Sequence, residues 1–194
     1  MHDLRSVQHA HAKRIPGEPG LWVIVFGDLL VFGLFFLTFA TYRLDEVALF
    51  SRSQVQLNQG LGLLNTMLLL SSSLAIAITV AALREGALRR ARIGANLAIA
   101  LGLGFIGVKI IEYGEKIAAG IDPTTNNFFM FYFSFTGIHL MHVIAGLGAL
   151  AFIRSRCNVP LVPNGIRAIE GCAAFWHLVD ILWVILFAIL YLHQ

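Results

Sequence analysis

The sequence predicts an all-α integral membrane protein folded as a bundle of five transmembrane helices. Three observations carry that expectation. Of the 194 residues, 58% are hydrophobic and only 13% charged, where soluble domains carry about 25% charged residues. Five apolar runs, at about 20–42, 59–83, 93–118, 127–153 and 168–192, reach the roughly 20 residues needed to cross a hydrocarbon core. The basic residues gather between alternate runs. Arg5, Lys13 and Arg14 precede the first, Arg84, Arg89, Arg90 and Arg92 join the second to the third, and Arg154, Arg156 and Arg167 join the fourth to the fifth. The opposite side holds only Arg43, Arg52 and Lys116, so the N-terminus is expected in the cytoplasm and the C-terminus outside.

Residues 1–19 read as a polar cytoplasmic tail, ending in a "PGEPG" stretch that stops helix propagation before the first span. No cleavable signal is expected there, because the first twenty residues are polar. His2, His9 and His11 in the tail are expected to be solvated. Residues 20–194 read as a single domain, with short loops and no internal repeat of the kind that marks secondary transporters. A pI near 9.1 reflects topology and not a nucleic-acid face, since the cations lie between apolar runs. Cys157 and Cys172 lack metal-like spacing and receive no role.

Ionisable groups inside hydrocarbon are costly unless they face protein, water or one another, so they are the informative residues in each span. The first span carries Asp28, read either as a neutral, hydrogen-bonded helix contact or as a site of proton exchange or lipid-headgroup contact. In the second, Asn65 and the serines around Ser72 suit close helix packing. The third is rich in glycine, with Gly102 and Gly107 expected to admit neighbouring helices. Near its outer end, Lys109–Glu112 and Glu112–Lys116 have the spacings of helix-surface ion pairs, and Glu115 and Lys116 read as interfacial.

The fourth span sets His139 and His142 about 60° apart on one helix face, with Gly146 continuing the stripe. The fifth carries Glu170, His177 and Asp180 within an arc of roughly 80°, bordered by Trp176 and Trp183. If Asp180 pairs with His177 in a dry interface, Asp180→Ala should strand a buried polar partner and cost about 1–3 kcal/mol. Three readings of these groups stay open on the residues alone. One histidine from each helix could bracket a b-type haem. His139, His142, His177 and Asp180 could collect a metal. Or they could join Glu112 and Glu170 in one hydrogen-bonded network.

Five stretches in order carry a resemblance. "EPGLWVIVFGDLLVFGLFF", "LNTMLLLSSSLAIA", "FIGVKIIEYGEKIAAG", "FTGIHLMHVIAGLGAL" and "EGCAAFWHLVDILWVILFAILYL" resemble successive helices of subunit III of the haem-copper respiratory oxidases, covering about 18–192. The five-span form, with Asp28 where the seven-helix mitochondrial form has Glu, is similar to bacterial members. These include quinol oxidase subunits and the companion subunit of nitric oxide reductase, which the short loops and "EPGLWV" resemble most. The resemblance implies a subunit without catalytic residues or metal of its own. Haem and copper or iron would reside in a catalytic subunit I beside it, in the bacterial inner membrane. It also implies bound phospholipid, support of proton uptake, and protection of the catalytic subunit during turnover. Asp28, Glu112, His139, His142, Glu170, Trp176, His177 and Asp180 would form the family's polar core. The alternatives are a haem-binding electron carrier and a proton or ion carrier.

Overall fold

In the computed structural model, residues 19–158 and 163–192 are described; the tail histidines and Arg5, Lys13 and Arg14 lie outside them. The elements are α1 (Pro19–Asp45), α2 (Val47–Gln54), α3 (Gln59–Arg84), α4 (Leu88–Ala118), α5 (Asn127–Arg156) and α6 (Pro163–Phe187), which runs on into a π-helical turn, Ala188–Leu192. Five helices are long and apolar enough to cross a membrane, and no described residue is in a strand.

Local chemistry sets the ends. Pro19 begins α1, where its missing N–H costs nothing. Asn58 and Asn126 cap α3 and α5 by accepting from the Leu61 and Phe129 amides. Gly86 and Gly120, at φ of 73° and 74°, turn the chain after α3 and α4. Between α4 and α5, hydrogen bonds from the Thr124 hydroxyl and amide hold the Asp122 carboxyl below the usual carboxylate range. Helix α4 begins five residues before its expected start, because Leu88 to Arg92 are good helix formers whose charged ends extend beyond the apolar run. The short helix α2 was not anticipated. It buries Phe50, which meets Phe39 of α1 and Phe128 of α5 edge-on.

Helices α3, α4, α5 and α6 pack as a ring in that order, with α6 closing onto α3. Helix α1 lies outside the ring, is the most exposed of the spans, and reaches α5 through Phe32, Phe35, Phe36 and Phe39. Within the ring, the Trp176 side chain fills the space beside two glycines. A Cβ at Gly146 would come 2.5 Å from Trp176 Cε3, and one at Gly102 would come 2.8 Å from Leu147 Cδ2 and 3.0 Å from Trp176 Cη2. Ser72 donates to the Ala98 carbonyl at 2.9 Å and ties α3 to α4. Asn65 is fully buried in α3. Nothing stands within 4 Å of the Cβ position of Gly107 among the described residues, so within this chain it admits no neighbouring helix.

Candidate functional site

The buried ionisable groups divide into separate clusters, each joining different helices. The most enclosed lies toward the C-terminal ends of α4 and α6. Lys109 donates to Glu112 at 2.8 Å and to the Tyr191 hydroxyl at 2.9 Å, and that hydroxyl donates to the other Glu112 oxygen at 2.5 Å. Both charged side chains are at most 1% exposed. The ammonium also stands 4.8 Å from the Trp183 ring centre and 5.3 Å from that of Tyr132, so aromatic faces supply much of its solvation. Tyr191 reaches this place because the π-helical turn shifts the register of the last residues. Carbonyls freed there are taken by Gln54, which donates to Ile189 and Leu190, and by Gln59, which donates to Tyr191.

Lys116 departs from its reading as a wet, interfacial partner of Glu112. It is only 8% exposed and donates to the Gln56 carbonyl, because the segment after α2 folds back over the end of α4.

His142 faces α1. Its Nε2 lies 3.3 Å from Asp28 Oδ1, its Nδ1 lies 2.9 Å from the Ile138 carbonyl, and Phe32 packs edge-on against the ring. With Nδ1 turned to that carbonyl, Nε2 is the ring atom left to face Asp28. A shallow cleft of about 230 Å³ opens beside it, lined by Asp28, Met141, His142, Ala145 and Phe175.

His177 faces α3. Its Nδ1 is hydrogen-bonded to Ser73 and lies 3.6 Å from Asp180 Oδ2. The His177 side chain is 39% exposed, against 4% for Asp180, and both line an open cleft of about 390 Å³ with Leu70, Ser73, Ile181, Val184 and Ile185. A helix face is set by sequence period, but whether a neighbour covers it is set by how far apart the helices lie.

Glu170 belongs to none of these clusters. It receives Arg84 where α3 ends and α6 begins, Nη2 at 2.7 Å and Nε at 3.2 Å from one oxygen. With Arg84 59% exposed, Arg84→Ala should cost about 0.2–1 kcal/mol, read as a small drop in the thermal unfolding midpoint in detergent.

His139 stands alone. It is fully buried between Phe105 and Trp183, with ring centres 5.7 and 5.3 Å away, and neither ring nitrogen has a hydrogen-bond partner among the described residues. Trp176 Nε1 is likewise unpartnered, and the residue acts by filling volume. In place of one network, one of the three readings left open, these residues form four separate sets and an isolated imidazole. The reason is angular: about 60° between His139 and His142 sends one into the ring and the other to α1. His139 is walled by aromatic rings while His177 opens to a different cleft, so the geometry supplies no facing pair of imidazoles. Among the described residues, no three His, Cys, Asp or Glu side chains gather as a metal-holding group.

Sequence reasoning missed Tyr191, Arg84, Gln54 and Gln59 as partners. Only the first had a signal, an aromatic hydroxyl near the C-terminal end of its span, as Glu112 is of its own.

Comparison with known proteins completes the description of the site. The family model described as "Cytochrome c oxidase subunit III" matches residues 6–194. A cytochrome bo(3) ubiquinol oxidase subunit 3 from Buchnera aphidicola is 28% identical over 175 residues, spanning 90% of this chain and 85% of the relative. Quinol oxidase subunit 3 of Bacillus subtilis is 28% identical over 177 residues, 89% of this chain and 85% of its own. Cytochrome c oxidase subunit 3 of Thermostichus vulcanus is 28% identical over 190 residues, 96% and 92% respectively.

Proposed function

The chain belongs to the cytochrome c oxidase subunit III family, and from that premise we propose that it is the non-redox subunit of a haem-copper oxidase complex in a bacterial inner membrane. It sits beside a catalytic subunit I that carries the haem and copper, steadies that subunit's assembly and supports its proton uptake. The match over residues 6–194 carries this reading. It is supported by a chain whose internal polar groups mostly bind one helix to the next.

In this reading the N-terminus is cytoplasmic, the orientation set by the arginines around Arg84–Arg92 and Arg154–Arg167. The Asp28–His142 pair, at the exposed α1 face, is where a proton or a phospholipid headgroup would meet the chain. The complex is taken to reduce oxygen, since the relatives compared are named as quinol oxidase and cytochrome c oxidase subunits. Nitric oxide reductase is the alternative, and consumption of nitric oxide in place of oxygen by the purified complex decides between them.

The test is extraction of the tagged chain in mild detergent. A haem-bearing polypeptide should accompany it in fixed ratio, with a Soret band that belongs to that partner and survives His139→Ala and His177→Ala in this chain. A chain that emerges alone, or carries the pigment itself, sinks the proposal. A complex lacking the chain should turn over more slowly and lose activity faster than the intact one.

A further inference from the structure

Two stripes of exposed side chains flank the His177 cleft. On α3 they are Leu63, Met67, Leu70, Leu74 and Ile78, and on α6 Ala174, His177, Ile181, Val184 and Ala188. The spacings are all three or four residues, so each set lies along one helix face, as a seam that receives another helix does. Small side chains at Ala174, Ala188 and Ser73 leave room for close approach. The cleft between the stripes is lined by Leu70, Ile181, Val184 and Ile185, with Ser73, His177 and Asp180 as its polar groups.

In that cleft lie the exposed His177 ring and Asp180 Oδ1, a buried oxygen without a hydrogen-bond partner among the described residues. His177 is 12 residues from Gly165 and 15 from Leu192, the ends of its span, so it stands roughly 18 Å and 22 Å from them. Phospholipid headgroups lie about 15 Å from the centre of the bilayer and cannot reach that depth. Lipid tails offer these groups nothing, and a half-exposed imidazole facing hydrocarbon is costly. A partner helix carrying a polar side chain at its own midpoint satisfies both the groove and the two polar atoms.

We propose that the α3–α6 groove seats a transmembrane helix of another oxidase subunit, which presents a hydrogen-bonding side chain to His177 and Asp180. This rests on the subunit reading above and names the face through which it is realised. A second copy of this chain and a membrane-dissolved quinone are the rival occupants.

The experiment uses the intact complex in membranes, with the photo-crosslinker benzoylphenylalanine at Ile181 and, separately, at Leu74. Irradiation should join both positions to one and the same other subunit, identified by mass, while the position Ile111 on the far face of α4 should not join it. A second readout is His177→Leu, which should raise dissociation of that subunit in detergent by roughly 3-fold, the usual worth of one interhelical hydrogen bond. Crosslinks only to a second copy, only to quinone or only to lipid overturn the proposal. If the haem-bearing subunit still co-purifies while Ile181 and Leu74 fail to reach any subunit, this inference falls and the subunit reading stands.

Discussion

Glu112→Ala should destabilise the chain by about 3–5 kcal/mol, the range for removing one partner of a buried ion pair. The carboxylate is fully buried and accepts from both Lys109 and Tyr191. Without it, the Lys109 ammonium keeps the Tyr191 hydroxyl and the ring faces but loses its only counter-charge among the described residues. Tyr191→Phe removes one hydroxyl and should cost less, about 1–3 kcal/mol. The double change Lys109→Met with Glu112→Leu should recover most of the loss, because two apolar side chains leave no stranded charge. Thermal or denaturant unfolding in detergent ranks the three variants. Equal midpoints for Glu112→Ala and the unchanged chain would show that the pair is not enclosed as described.

The second large effect is steric. Gly146→Leu should prevent the α5–α6 contact from closing, and Gly146→Ala should already cost about 1–3 kcal/mol as overpacking. The added Cβ would stand 2.5 and 2.7 Å from two ring atoms of Trp176, which is fully buried and has no free direction to move. Gly107→Ala is the matched control in α4. It meets nothing within 4 Å and should be neutral or stabilising by up to about 1 kcal/mol, the helix preference of alanine over glycine. Trp176→Phe should relieve part of the Gly146→Ala penalty. Simple additivity of those two changes would show that the ring and the glycine do not touch.

The spans were legible because hydrophobic length is a property of local sequence. Helices α3 and α5 begin at the residues where their apolar runs do, at Gln59 and Asn127. The i,i+3 pair of Lys109 and Glu112 was legible for the same reason, since both partners lie on one helix. Asp180 and His177 have the same spacing, but what lies over them was not legible. Their distance is 3.6 Å, but α3 leaves the imidazole uncovered. Short α2 was hidden because eight residues with a narrow apolar edge resemble a loop.

What the sequence alone determined was the inventory: five spans, family membership through ordered motifs, and which acids, imidazoles and glycines lie within hydrocarbon. The tertiary structure decided the pairings. It set Asp28 against His142, Glu170 against Arg84 and Tyr191 against Glu112, isolated His139 among rings, and separated the glycines that admit Trp176 from the one that faces outward. The physical reason is that helical period gives the direction of a side chain about its own axis. The rotation and spacing of neighbouring helices, settled by bulky residues such as Trp176 and by the register of the last turn, decide what that side chain meets.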